Sequence, residues 1–226
     1  MLVMIGILLA LQVNNWNEER KLSQERIAIL KNLRDDLKND IENYQYSTLR
    51  LEDRQKVADQ VLTLFENIPK TIDSANTARN LLVLGFIEVH NPNFSTYNEI
   101  QGSGKLALIK SKKVKTALAN YNSTVDNFKL IGSSWNEDLK DYERIMSGYF
   151  KGNIYQQFLP MDAKDVSQNQ NLRFDLSEMS KNSDLVSRIR HIAYFTKMEI
   201  NIKKYIIIPL CDSLSKDIDS LLINWQ

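Results

Sequence analysis

The chain has 226 residues, with 29 Lys and Arg against 28 Asp and Glu, 43% hydrophobic residues, 7 Gly, 4 Pro, one Cys and two His, which suits one medium domain or a domain plus an appendage. A formal charge of +1 removes the case for nucleic acid, which needs a basic face, and a single Cys excludes an internal disulfide framework or a Cys-based zinc site. With Gly and Pro this scarce, a turn-rich β-sandwich is excluded too, and long helices are the simplest explanation of the composition.

The first segment, Met1 to Val13 (MLVMIGILLALQV), carries no charge, and Gln12 is its only polar residue. A helix needs about 20 apolar residues to cross a bilayer, so the run is too short to span. A secretory signal would start with a basic stretch and end in a small-residue cleavage site, and neither is here. Trp16 followed by Glu18, Glu19, Arg20 and Lys21 reads as a membrane-interface boundary. The run is therefore expected to be the second half of a spanning helix whose first half lies upstream. Residues 1–16 form the anchor and 17–226 a helical-bundle domain. The alternative is a buried core helix, against which stands the unbroken apolar run Ile7 to Ala10, covering every face.

The string Ile5 to Lys21 (IGILLALQVNNWNEERK) resembles the start of the DUF6090 family, uncharacterised proteins of Bacteroidota in which a similar run follows a basic stretch and an apolar lead-in. A second segment, Phe94 to Ile100 and Gly104 to Ile109 (FSTYNEI, GKLALI), is similar to that family's TYxxLxxSGxLxLI motif. The basic stretch and lead-in are missing here. The resemblance implies a membrane-anchored helical protein with the basic side inside, hence a domain in the periplasm, and it supplies no catalytic residues.

Next, Leu30, Leu33, Leu37, Ile41, Tyr44, Thr48, Leu51, Gln55, Ala58, Leu62 and Phe65 step by threes and fours, the 3.5-residue seam of a coiled coil or long bundle helix. Nothing breaks this helix before Pro69. Asp73 or Ser74 caps a shorter helix to about Leu84, stopped by Gly85. Phe86 to Phe94 reads as an extended loop around Pro92, and Ser95 is expected to cap a short helix ending at Gly102-Ser103-Gly104.

The most regular pattern is Val114, Leu118, Tyr121, Val125, Phe128, Gly132, Trp135, Leu139, Tyr142, Met146 and Tyr149, stepping 4-3-4-3 throughout. An irregular stretch from Gly152 to about Asn182 follows, polar at Ser167 to Asn171. A last helix begins near Ser183 or Asp184 and runs to Trp225, with a kink or break at Pro209. The fold class is all-α: a long-helix antiparallel bundle with coiled-coil-like heptads, preceded by the partial transmembrane helix.

Candidates for chemistry are few. His90, two residues after Glu88, and His191 have no acidic or Cys partner at ligand spacing, so no metal and no cofactor is expected. Gly102-Ser103-Gly104-Lys105 lacks the first Gly and the final Ser/Thr of a phosphate loop and reads as a helix joint. Lys105, Lys110, Lys112, Lys113 and Lys115 form the one basic block, either an anion or lipid-headgroup patch or a solvated helix start. If Ser111 caps the next helix, three of these lysines sit where its dipole disfavours cations. A small-ligand site would draw on Tyr97, Asn98, Lys105, Lys112 and Lys113. The aromatic stripe Tyr121, Trp135, Tyr142 and Tyr149 reads as core, and Cys211 as an inert buried thiol.

The expected function is that of a membrane-anchored, single-pass helical bundle at the cytoplasmic membrane, acting by binding or scaffolding without catalysis. Its partners would be membrane lipid, an envelope protein or a second copy. A ligand sensor is the alternative, and a cytoplasmic interaction protein or a hydrolase ranks lower.

Overall fold

The computed structural model describes residues 2–86, 92–150 and 174–223. Every regular element among them is helical: α1 Leu2–Glu66, α2 Ser74–Val83, α3 Ser95–Gly102, a 3₁₀ turn Lys105–Leu108, α4 Lys112–Tyr149, α5 Leu176–Lys181, α6 Ser183–Ile202, a π turn Lys203–Ile207 and α7 Ile208–Ile223. The residues expected to loop around His90, the stretch from Gly152 to the polar Ser167 to Asn171, and Trp225 lie outside the described residues. The chain divides into two compact units. Unit 1 is Met1–Asn43, Asn91–Val125 and Ile207–Gln226; unit 2 is Tyr44–His90 and Asp126–Ile206. The boundary expected after residue 16 falls inside α1, which runs through it without a break.

From Asp40 on, the seam of α1 differs from the expected one by a residue at one position of every heptad. Leu30, Leu33, Leu37, Asp40, Tyr44, Ser47, Leu51, Ala58, Val61 and Phe65 are buried, and with Arg54, half-buried like its neighbour Gln55, they make a strict 3-4 alternation. Ile41, Gln55 and Leu62 are only half-buried, while Thr48 is buried beside Ser47. The physical reason is that one heptad position carries polar residues three times running, Asp40, Ser47 and Arg54, each with a partner waiting inside. The α4 seam is as expected. Val114, Leu118, Tyr121, Val125, Trp135, Leu139, Tyr142 and Met146 are buried, with Phe128, Gly132 and Tyr149 half-buried. Each fully buried aliphatic side chain on these seams contributes about 2 kcal/mol, an upper figure because the unfolded chain is itself partly collapsed.

In unit 1, contacts ascend together along α1 and α4. Arg26 Nε donates to the Leu108 carbonyl at 2.7 Å just before α4 begins, and Asp40 meets Tyr121 further along both helices. The antiparallel arrangement expected for neighbouring long helices therefore does not hold for this pair, because the intervening segment returns the chain to Arg26 before α4 starts. It does hold for α7, whose Cys211 lies beside Asp40 and Tyr121 and whose Asp219 pairs with Arg34.

In unit 2, α4 and α6 are antiparallel. Trp135 stacks on Phe195 at 5.2 Å between centroids, Arg188 pairs with Asp138 and Asp141, and Tyr149 accepts from Asn182 at 2.7 Å. The core there joins Ala58, Val61 and Phe65 of α1 to Leu81, Tyr142, Met146, Leu185 and Ile189. The end of α2 leaves carbonyls without helical partners. Tyr142 donates to that of Leu81 at 2.5 Å and Arg54 to that of Leu84 at 2.8 Å.

Local signals account for most helix ends. Asp73 caps α2 through the Asn76 N–H, and Asn182 caps α6 through those of Asp184 and Leu185, as the preference for Asp and Asn at this position predicts. Ser111 Oγ accepts from the Val114 N–H, capping α4. The short α5, not expected from the sequence, is capped by Asp175. At Pro209 the helical elements follow one another without a break in sequence. Proline offers no N–H to the carbonyl four residues back, and the π turn Lys203–Ile207 absorbs the mismatch before α7 continues.

Candidate functional site

Two features of unit 1 stand out. The first is the start of α1, where every residue from Val3 to Trp16 is exposed. Val3, Met4, Ile5, Ile7, Leu8, Leu9, Leu11 and Val13 keep between 51 and 78% of their surface open. The alternative of a buried core helix is thereby overturned, since no face of this segment packs on the described chain. Trp16 is 66% exposed, with the Arg20 guanidinium 5.7 Å from its ring centre. Among the described residues, no helix is long and apolar enough to cross a membrane.

The second feature is how Asn93 to Ile109 is fastened to α1. The N-terminus of α3 needs acceptors for its first N–H groups, and its cap residue is Phe94, with no side-chain oxygen, rather than the expected Ser95. Two carboxylates of α1 hold this end instead, Asp36 at an N–H of α3 and Asp40 at the residue before its cap. Asp36 Oδ2 accepts from the Thr96 N–H at 3.3 Å and Asp36 Oδ1 from the Asn93 amide at 2.7 Å. Asp40 Oδ1 accepts from the Asn93 backbone N–H at 2.8 Å, while Asn93 Oδ1 holds the Ser95 N–H at 3.1 Å. Negative groups at this helix end are also favoured by its dipole.

Asp40 is 1% exposed, and its Oδ2 accepts the Tyr121 hydroxyl at 2.6 Å. Burial pushes its carboxyl above the usual carboxylate range. The Tyr121 hydroxyl and Asn93 N–H act the other way, and the nearby Asp36 charge adds to the rise. The Tyr121 ring meets Phe94 edge-on at 5.3 Å. Cys211 closes the cluster, its thiol pushed up to about 12 mainly by burial, so it is the inert thiol expected. At the far end of the segment Gly104 takes φ +73°, a left-handed turn suited to glycine, where α3 gives way to the 3₁₀ turn. The Gly102 to Lys105 stretch is thus a helix joint, as read from the sequence.

Of the residues assigned to a small-ligand site, Tyr97 is buried, whereas Asn98 and Lys112 are exposed. Lys105 pairs with Glu25 of α1 at 2.8 Å, and Lys113 with Asp217 of α7 at 2.6 Å. The two lysines thus reach different helices. Outside unit 1, His191 lies 3.6 Å from Asp138 and edge-on to Phe195. Among the described residues, no three His, Cys, Asp or Glu side chains are grouped so as to hold a metal. The polar residues that sequence reasoning missed are Arg26, Asp36 and Asp40 in unit 1, and Lys203 in unit 2. Lys203 is 1% exposed, 2.7 Å from Glu199 Oε1 and 3.1 Å from Ser47 Oγ. Neither Asp40 nor Lys203 carried a local signal, since their partners Tyr121 and Ser47 lie 81 and 156 positions away.

Among curated proteins and solved structures, none matches the chain. The model of a protein family described as of unknown function matches residues 1–175, a span holding both the exposed apolar start and the fastened Asn93 to Ile109 segment, and the chain belongs to that family, DUF6090.

Proposed function

We propose that this protein is a membrane-anchored helical bundle that acts by binding or scaffolding, with no catalytic turnover. The observation that carries this reading is the exposed apolar start of α1. Eight large apolar side chains project from all faces of one helix, and a contiguous exposed patch of this kind marks a membrane or protein contact. Transferring what they still expose into hydrocarbon is worth about 1 kcal/mol each, about 8 in all, against which Gln12 is a modest penalty. A partner protein would cover one face of such a helix; lipid covers them all. Residues 1–16 then lie in the bilayer, with Trp16 at the interface, where Trp is favoured. The resemblance to chains with a basic stretch before the apolar run favours the cytoplasmic membrane with the bundle on the periplasmic side.

The reading without turnover is supported by the use to which polar groups of unit 1 are put, with Arg26, Asp40 and Tyr121 buried and Asp36 half-buried. Asp36, Asp40, Tyr121 and Arg26 are all engaged in fastening one segment of unit 1 to α1. The test is fractionation of cells expressing the chain from its native locus, with carbonate washing followed by protease treatment of spheroplasts. Carbonate-resistant protein cut from outside is expected. Soluble, protected protein would refute both the anchor and the location.

A further inference from the structure

We propose that the end of unit 1 bearing the start of α4 is a basic collar that rests on the anionic phospholipid surface around the anchor. The inference rests on the membrane anchoring proposed above and adds the partner: a lipid headgroup carrying negative charge. Its first basis is placement. Arg26 holds the Leu108 carbonyl and Glu25 holds Lys105, so the turn Lys105–Leu108 is pinned beside α1 residues 25 and 26. Because α4 ascends in the same sense as α1, its first turn, not its last, lies at this end. Arg26 is ten residues beyond Trp16, about 15 Å along the helix axis. With Trp16 at the hydrocarbon boundary, a headgroup layer of about 5–7 Å and a Debye length of about 10 Å bring Lys110 and Lys112 within electrostatic reach.

The second basis is charge. Residues 16–26 and 105–115 hold eight Lys or Arg and three Glu. Glu99 and Asp217, which face Lys105 and Lys113, raise the carboxylates to five against the eight cations. The whole chain carries only +1, so the remainder is net negative and the basic end is the one turned toward the bilayer. The third basis is a local conflict. Lys112, Lys113 and Lys115 occupy the opening of α4, which has no acidic residue in its first turn, although the helix dipole disfavours cations there. Residues set against their local preference are expected where function demands them.

The test compares binding of the purified full chain to two vesicles by flotation after detergent removal. One is phosphatidylcholine alone; in the other about a third of the lipid is phosphatidylglycerol. Each lysine near a charged surface adds attraction that salt screens, so binding is expected to be at least about tenfold tighter on the anionic vesicles at low salt and to lose that advantage at high salt. The variant K110Q/K112Q/K115Q, with helicity checked by circular dichroism, should bind both vesicles alike while matching the parent on phosphatidylcholine. An anionic preference that survives in the variant, or is missing from the parent, overturns the collar. Failure to bind phosphatidylcholine overturns the anchor separately, and a chain held only by anionic vesicles through these lysines would keep the collar without it. The reference variant I7D/L8D should lose phosphatidylcholine binding.

Discussion

Unit 1 buries a carboxylate where unit 2 buries an ammonium, and the two are stabilised differently. Asp40 is answered by neutral donors, the Tyr121 hydroxyl and the Asn93 N–H, while Lys203 faces the Glu199 carboxylate with Ser47 beside it. A buried charge met by dipoles alone keeps part of its desolvation cost, which is why burial raises the Asp40 carboxyl in spite of its hydrogen bonds. A buried ion pair cancels its charge but makes each partner depend on the other. The comparison teaches that Asp40 is tunable by pH, whereas Lys203 acts as half of a unit.

The largest effect is therefore expected at Lys203. K203M leaves Glu199 half-enclosed without its cation and should cost about 3 kcal/mol, the lower end of what breaking a buried pair costs because Glu199 is partly exposed. Adding E199M should recover most of that loss, since two apolar residues need no partner. Urea unfolding followed by circular dichroism measures both, and additive effects of the two changes would refute the pairing.

D40A comes next, at about 2 kcal/mol, because it leaves the buried Tyr121 hydroxyl and the Asn93 N–H without their acceptor. D40N separates shape from charge. Since the folded-state pKa of Asp40 is raised, the folded chain holds that proton more tightly than the unfolded one. Its contribution to stability is fully present below the unfolded carboxylate value near about 4 and is lost as pH rises through the folded value. In D40N this fall should vanish, and an unchanged stability–pH slope would show that other groups set it. Y142F, which strips the Leu81 carbonyl of its donor at the end of α2, should cost about 1 kcal/mol.

These same residues mark what was legible in the sequence. Helix content, the α4 seam, the caps at Asp73 and Ser111 and the start of the last long helix near Ser183 follow from period and local chemistry, both of which act over a few residues. From Asp40 on, the α1 seam was read one residue too late in every heptad, at Ile41, Thr48 and Gln55 where Asp40, Ser47 and Arg54 hold the alternation, although Thr48 is itself buried and Gln55 is as half-buried as Arg54. Those polar residues are buried or half-buried only because Tyr121, Lys203 and the Leu84 carbonyl meet them, partners between 30 and 156 positions away in the chain. No local pattern carries that information. The parallel run of α1 and α4 was hidden for the same reason, since contacts such as Arg26 to Leu108 set it. The apolar start was legible as a stretch, but only burial could separate a core helix from an exposed one.

The smallest signal, and the one that tells the two units apart, is expected from Cys211. Its thiol is fully buried and pushed up to about 12, so at pH 8 about one in ten thousand is ionised, and the thiolate is the reactive form. A thiol reagent should therefore show almost no labelling of the native chain, and what labelling occurs reports openings that expose α7 in unit 1. D40A loosens the cluster against which Cys211 packs, and a loss of about 2 kcal/mol should raise the labelling rate about 30-fold. Y142F acts on the α2 end in unit 2 and should leave the rate within about twofold if labelling comes from local opening. Equal acceleration by D40A and by a unit 2 substitution of matched cost would mean that Cys211 is reached only by unfolding of the whole chain. The Asp40 cluster would then be a contributor to global stability and not the fastening of one unit.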